Sequence, residues 1–358
     1  MQSPGTSWLH KVSNGVFVIA EAGINHNGDT DIARRLVDVA VDSGASAIKF
    51  QTFRTESLLT KDAPKAEYQQ RNTGAEESQF EMLKTVELSE KQHLEILRYC
   101  QRRGIVFIST PFDEQSADLL ERMNVPLFKI PSGEITNLPL LEHISRKGRP
   151  MIISTGMSYL EEVREAVRST QSAGCNDIAL LHCVSNYPTQ IEDVNLKAMH
   201  TMEKAFRLPV GFSDHTTGHE AALTAVALGA KIIEKHFTLD MKLPGPDHKA
   251  SLEPGELTRF VRSIRNVEAA LGDGVKKPVP SELSTKEMAR KSLVFRSAFP
   301  AGTVLTADHV TAKRPNTGLS PSRLQDVVGR RLLRDVEAEM QVAWPILSDS
   351  CQGLPLQR

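Results

Sequence analysis

The sequence predicts an α/β protein, a (β/α)8 TIM barrel followed by a small β-rich unit. Three observations carry this. Eight short apolar runs in the first 240 residues each end in polar or charged residues, the stretches between them have helical spacing, and the texture changes after residue 272. Alternating strand and helix implies a parallel sheet, and eight such units over roughly 250 residues is the size at which that sheet closes on itself. An open doubly wound sheet is the alternative that the pattern leaves. In a closed barrel the chemistry collects at the carboxyl ends of the strands.

Taken in order, the run at 16–20 leads into Glu21, that at 47–48 into Lys49 and Gln51, and that at 105–108 into Ser109 and Thr110. The fourth, at 127–128, is followed by Lys129, Ser132 and Glu134, and the fifth, at 151–153, by Ser154 and Thr155. The last three, at 178–181, 210–212 and 232–233, lead into His182, then Ser213 and His215, then Glu234 and His236. Helical spacing between them shows in Ile32, Leu36, Val39 and Ala40, in Leu94, Leu97 and Cys100, and in Leu257, Phe260, Val261, Ile264 and Val267. The segment 52–88 is long for a strand-to-helix connection, and a loop of that length over the catalytic rim is expected to bind or cover substrate.

A boundary is expected near Leu271, where Gly272-Asp273-Gly274 stops the last helix. This gives a barrel over 1–272, a polar, proline-bearing linker over 273–288 and a β-rich unit over 289–350. A core of some sixty residues is marginal alone. That unit is expected to lean on the barrel or on a second subunit.

With 43 basic against 44 acidic side chains the net charge is −1, so no broad field draws the chain to nucleic acid or to an anionic membrane. Residues 1–15 lack the pattern of a secretory signal, and no apolar run reaches the ~18 residues of a membrane helix. The expectation is a soluble, cytoplasmic protein. Cys100, Cys175, Cys183 and Cys351 form no CxxC pair and read as reduced, mostly buried thiols.

His215 and His236 close the seventh and eighth strands, which are neighbours around a closed rim. Two imidazoles beside carboxylates and water suit Mn²⁺ or Mg²⁺ in an open shell; the alternative makes each a hydrogen-bonding rim histidine. His10, His93, His143, His200 and His309 read as solvated or structural groups without partners. Lys49, Thr110, Lys129, Ser132, Ser154 and Ser213 supply two ammonium groups and four hydroxyls to one opening, a set that binds phosphate or carboxylate; singly, each hydroxyl also fits a strand-end cap. Glu21, Glu134 and Glu234 end strands on the same rim, with Glu134 the best acid/base candidate on its tight turn. Glu234 alternates with His236 and so can share its face, while an ion pair with Lys231 or Lys235 explains it equally well. Asp247, in a kinked proline-rich loop after the eighth strand, could grip vicinal sugar hydroxyls.

Taken together these motifs resemble the sialic acid synthase family, enzymes that condense phosphoenolpyruvate to make nine-carbon sugar acids. The resemblance rests on AEAGINHNG at 20–28, IKFQT at 48–52, STPFD at 109–113, FKIPSGE at 128–134, ISTGM at 153–157, GFSDH at 211–215, EKHFT at 234–238 and GPDHKASLEP at 245–254. The unit over 289–350 resembles that family's antifreeze-like (SAF) domain, including KRPNTG at 313–318. The resemblance implies phosphoenolpyruvate over Lys49, Thr110, Lys129, Ser132, Ser154 and Ser213, with Ser185 completing the phosphate site. It implies Mn²⁺, or Mg²⁺ or Co²⁺, on His215 and His236, and an open-chain N-acetylmannosamine held by Gln51, Glu134, Tyr187, Asp247 and Arg314. Glu134, Lys49, Lys129 and Glu21 would carry the catalysis. Arg314 is expected from the other subunit of a domain-swapped homodimer. The implied activity is N-acetylneuraminate synthase; a sibling synthase for legionaminic or pseudaminic acid is the alternative, and a non-catalytic sugar-binding protein is a third.

Overall fold

The computed structural model describes residues 15–74 and 76–349, so His10 and Cys351 lie outside the described residues. It falls into two units, Met1–Asp273 and Gly274–Arg358. The first contains eight strands: β1 (Phe17–Gly23), β2 (Ala47–Thr52), β3 (Val106–Pro111), β4 (Phe128–Ile130), β5 (Met151–Ser154), β6 (Ile178–Cys183), β7 (Val210–Asp214) and β8 (Ile232–His236). They form one sheet in the order β3-β2-β1-β8-β7-β6-β5-β4, every pair parallel. Strands β3 and β4 lie side by side and bring the sheet nearly to closure.

Each strand starts in an apolar run because both of its faces are covered, and its polar residues come in toward the carboxyl end. Inward residues Phe17, Ile19, Ala47, Ile108, Leu127, Ile152, Ala179, Leu181 and Ile232 fill the barrel. Outward residues such as Val18, Ile48, Phe128, Ile153 and Ile233 join the larger core beneath the helices. The helix Thr30–Asp42 starts where the Asp29 carboxylate accepts from the backbone of Asp31 and Ile32, and it buries Ala33, Leu36, Val37 and Ala40. Helix Pro254–Leu271 buries Leu257, Phe260, Val261 and Ile264 and stops at Gly272, whose φ of 61° suits glycine.

Two segments differ from expectation. The connection after β2 is ordered into short helices at Thr55–Leu58, Glu67–Thr73 and Gln79–Val86. They form because the segment has an apolar stripe of its own: Met82, Leu83 and Val86 join Ile24 and Phe53 in a small separate core. Within the expected linker, Leu283–Ala289 is an exposed helix, preceded by a 3-10 turn at Pro280–Glu282. Proline at the first position of that turn starts a stretch of good helix formers. Beyond it β9 (Ser292–Phe295) and β10 (Val310–Lys313) pair antiparallel over a core of Leu293, Phe295, Leu305, Val310, Val327, Leu332 and Val342. Arg314 follows β10 and is exposed. Among the described residues no helix is long and apolar enough to cross a membrane.

Candidate active site

The inward residues at the carboxyl ends of the strands converge on one open cavity of about 440 Å³. Every expected site residue of the barrel lines it: Glu21, Lys49, Gln51, Thr110, Lys129, Ser132, Glu134, Ser154, Ser185, Tyr187, Ser213, His215, His236 and Asp247. Arg314 belongs to the second unit. A roomier cavity, about 550 Å³, opens at the start of β7, but its charged residues Glu203, Lys204, Arg207 and Lys231 are all exposed. The buried chemistry lies in the first.

At its floor are two ammonium groups. Lys49 Nζ contacts Glu21 Oε1 at 2.9 Å and donates to Thr110 Oγ1 at 3.1 Å. Lys129 Nζ donates to Ser154 Oγ at 2.6 Å and to the Ile130 carbonyl at 3.2 Å. Glu234 Oε1 stands between the two lysines, 3.7 Å from Lys49 and 3.8 Å from Lys129, and accepts from Ser213 Oγ at 3.0 Å. The ion pair of Glu234 with Lys231 or Lys235 is thus overturned. Both lysines stand at odd offsets from Glu234 along β8, so the alternation of a strand turns them to its other face.

Burial would raise the Glu234 carboxyl, but Lys129 and Lys49 outweigh it and hold it below its ordinary range. Burial pushes Lys129 down. It pushes Lys49 down as well, yet Glu21 and Glu234 together leave that ammonium raised. Glu21 is driven up to about 7 by burial, against the pull of Lys49. The two shifts are compatible, because Lys49 has two carboxylates while Glu21 has one close cation and a buried Oε2 with no hydrogen-bond partner. With Glu21 neutral, one carboxylate faces two ammonium groups. The floor is then net positive, as an anionic ligand requires.

This gives a pH prediction. A carboxyl whose folded value lies near 7, against 4.5 when free, contributes stability that is full below about 4.5 and lost as pH rises through 7. The melting temperature of the wild type relative to Glu21→Gln is expected to fall between pH 5 and pH 8.5, a change of roughly 3 kcal/mol. Parallel pH curves for the two proteins would show that Glu21 is ionised throughout.

Above the β5 end, the Gly156 amide donates to Ser132 Oγ at 2.9 Å, and Ser132 Oγ lies 3.3 Å from Cys183 Sγ. A Cβ at position 156 would stand 2.3 Å from Ser185 Oγ and 2.8 Å from Ser132 Oγ, so these hydroxyls close up only around glycine. Burial pushes the Cys183 thiol up, but His215, Ser132 and Lys129 outweigh it and leave it lowered. Cys100, Cys175 and Cys183 are free and buried.

His215 and His236 stand with ring centroids 5.6 Å apart, and Tyr187 lies against His215 at 4.1 Å. The Val184 carbonyl, 2.7 Å from His215 Nδ1, can only accept, so Nδ1 carries a proton; burial pushes this imidazole down, but a side-chain hydrogen bond with Cys183 outweighs it and leaves it raised. The buried Nδ1 of His236 has no hydrogen-bond partner. Two imidazoles so placed fit a divalent ion. Among the described residues no set of three His, Cys, Asp or Glu surrounds the position, so further donors would be water or substrate oxygens.

Toward the mouth, Glu134 is half-buried on a 3-10 turn and accepts from Asn137 Nδ2 at 2.7 Å. Asp247 is buried, its Oδ1 unpartnered, and burial pushes its carboxyl up to about 6. The helix Glu67–Thr73 adds Tyr68, its ring centroid 5.0 Å from that of Tyr187. The sequence alone leaves Glu234 between the face of His236 and an ion pair with Lys231 or Lys235, and reads Cys183 as a reduced, mostly buried thiol. The signal for Glu234 was its two-residue offset from His236. Four histidines read as unpartnered do have partners: His93 meets Thr52 Oγ1 at 2.9 Å, His143 meets Asp118, His200 meets Glu203 and His309 stacks on Phe299.

The profile of the NeuB family matches residues 36–276, and that of the SAF domain matches 290–345. The N,N'-diacetyllegionaminic acid synthase of Legionella pneumophila is 47% identical over 332 residues, covering 92% of this chain and 93% of the relative. The human N-acetylneuraminate-9-phosphate synthase is 40% identical, with 90% of each chain covered. A solved N-acetylneuraminic acid (sialic acid) synthetase from Leptospira borgpetersenii, in complex with citrate, superposes with a TM-score of 0.66 at 37% identity, covering 76% of this chain and 90% of that one. The chain belongs to the NeuB family and carries a SAF domain.

Proposed function

We propose that this protein condenses phosphoenolpyruvate with an open-chain N-acetylated hexosamine and water, giving a nonulosonic acid and phosphate. The observation that carries the reading is the buried pair Lys49 and Lys129 sharing Glu234 within a ring of hydroxyls. The acceptor we favour is the one that leads to N,N'-diacetyllegionaminic acid. The greater identity to a relative of that name than to the N-acetylneuraminate-9-phosphate synthase supports this and reverses the order of the two products expected from the sequence.

In this reading Lys49 and Lys129 bind the phosphate and carboxylate of phosphoenolpyruvate, and Thr110, Ser132, Ser154, Ser185 and Ser213 donate to the remaining oxygens. Gln51, Glu134, Tyr187 and Asp247 orient the acceptor so that its aldehyde carbon meets C3 of phosphoenolpyruvate. His215 and His236 would hold Mn²⁺, Mg²⁺ or Co²⁺, which when bound polarises the aldehyde. Glu21, neutral on the floor, gives its proton to the aldehyde oxygen as the carbon–carbon bond forms. Glu134 takes the proton of the water that adds to the oxocarbenium-like C2, and phosphate leaves by C–O cleavage into the grip of the lysines. Arg314 completes the acceptor site from a second subunit.

The test is phosphate release from phosphoenolpyruvate with a panel of N-acetylated hexosamines. We expect kcat/KM to be about tenfold or more higher for a hexose with two acetamido groups than for N-acetylmannosamine, since a pocket built for an amide rejects an analogue lacking it. Chelation is expected to abolish turnover and Mn²⁺ to restore it. No phosphate release with any acceptor would reject the synthase reading; preference for N-acetylmannosamine would restore the sialic acid product.

A further inference from the structure

Between the layer of Glu234 and that of the two imidazoles runs a second, outward-facing ion pair. In the β7–β8 ladder Ser213 is the register partner of Glu234 and Asp214 that of Lys235. His215 and His236 come next along the two chains. Lys235 Nζ donates to Asp214 Oδ2 at 2.8 Å, and both side chains are almost wholly buried. The same ammonium donates to the carbonyls of Thr216 at 2.5 Å and Gly218 at 3.0 Å. Asp214 Oδ1 in turn accepts from the Thr216 amide at 2.9 Å and from its hydroxyl at 2.8 Å. These hydrogen bonds of the Lys235 ammonium thus fall on Asp214 and on the turn that leaves His215, while Glu220 adds attraction from a greater distance.

A buried ion pair is a poor way to stabilise a fold, because desolvating two charges offsets most of their attraction. Its best-attested use is to fix register. Here it joins the residue before one imidazole to the residue before the other. Parallel strands that slipped by one position would separate Asp214 from Lys235 and misplace both rings, and a metal site tolerates only about 0.5 Å of such error.

We propose that Asp214 and Lys235 are the positioning pair of the two-histidine metal site: they set the spacing of His215 and His236 and thereby control metal affinity. The inference rests on the metal reading given above. It assigns the pair no part in binding phosphoenolpyruvate, which is held from the inner face of the barrel.

The experiment uses full-length, metal-free protein and three measurements: Mn²⁺ affinity from the paramagnetic resonance of free Mn²⁺, phosphoenolpyruvate affinity by calorimetry without metal, and thermal melting. In the double variant Asp214→Asn/Lys235→Met, which leaves no buried charge unpaired, the Mn²⁺ Kd is expected to rise about tenfold or more, the scale set by groups that orient a metal ligand. The phosphoenolpyruvate Kd is expected to stay within about twofold, since the pair lies off the anion floor. Thr216→Val, a milder change that removes a hydroxyl bonded to Asp214, is expected to weaken Mn²⁺ about threefold and covers the case in which the double variant does not fold. Cooperative melting with an unchanged Mn²⁺ Kd in either variant overturns the proposal. So does parallel weakening of Mn²⁺ and phosphoenolpyruvate, which would mean that the whole rim had loosened. Wild-type protein that binds phosphoenolpyruvate but no Mn²⁺ would instead sink the metal reading, and this inference with it.

Discussion

Lys129→Met lowers kcat/KM for phosphoenolpyruvate by on the order of a thousandfold, with the protein still folded. The ammonium is buried, and its neighbours are Ser154 Oγ at 2.6 Å, the Ile130 carbonyl and the Glu234 carboxylate. Its removal takes away a preorganised cation that, being buried, is worth far more than it would be in water. Stability is expected to change little, because Glu234 keeps Lys49 at 3.7 Å and the Ser213 hydroxyl at 3.0 Å and is not left an orphan. Methionine fills the space of the lysine stem. Lys129→Arg is not expected to rescue, since a planar fork needs more room and different acceptors than a point charge. Phosphate release and a melting curve on the same preparation decide the matter: activity within tenfold of wild type would mean that the anion lies elsewhere.

The barrel was legible because a strand covered on both faces must be apolar throughout, so that each polar residue ending a run stood out against it. That marked Glu21, Lys49, Lys129 and Ser213, which the structure brings to one cavity. Pairing was less legible. Glu234 has a lysine beside it in sequence, yet strand alternation turns Lys235 outward to Asp214, and the true partners come from β2 and β4. Which strands adjoin is a property of closure, which no local pattern carries. The loop after β2 hid its helices for a different reason: each is no more than eight residues long, and Thr55–Leu58 and Gln79–Val86 depend on the small core around Met82 and Phe53. Cys183 reads as an ordinary buried thiol until His215 and Lys129 are brought beside it by the fold.

Mixing two impaired proteins, Arg314→Ala and Lys129→Met, at an acceptor concentration too low for either to turn over alone, is expected to restore about a quarter of wild-type specific activity if Arg314 serves the partner's barrel in a homodimer. In a heterodimer with exchanged domains, one site collects both defects and the other collects neither. Random exchange makes about half of the dimers hetero, and each of these has one intact site of two. Arg314 suits the part, being an exposed guanidinium on the segment after β10, free to offer its donors to acceptor hydroxyls or an acetamido oxygen. Arg314→Ala alone is expected to raise the acceptor KM much more than that of phosphoenolpyruvate, since the anion floor is built wholly from barrel residues. Subunit exchange must be shown independently, for instance by tagging each variant and recovering mixed dimers. If recovered heterodimers stay inactive, Arg314 acts within its own chain or not at all, and the exchanged-domain dimer falls while the barrel chemistry of Lys49 and Lys129 stands.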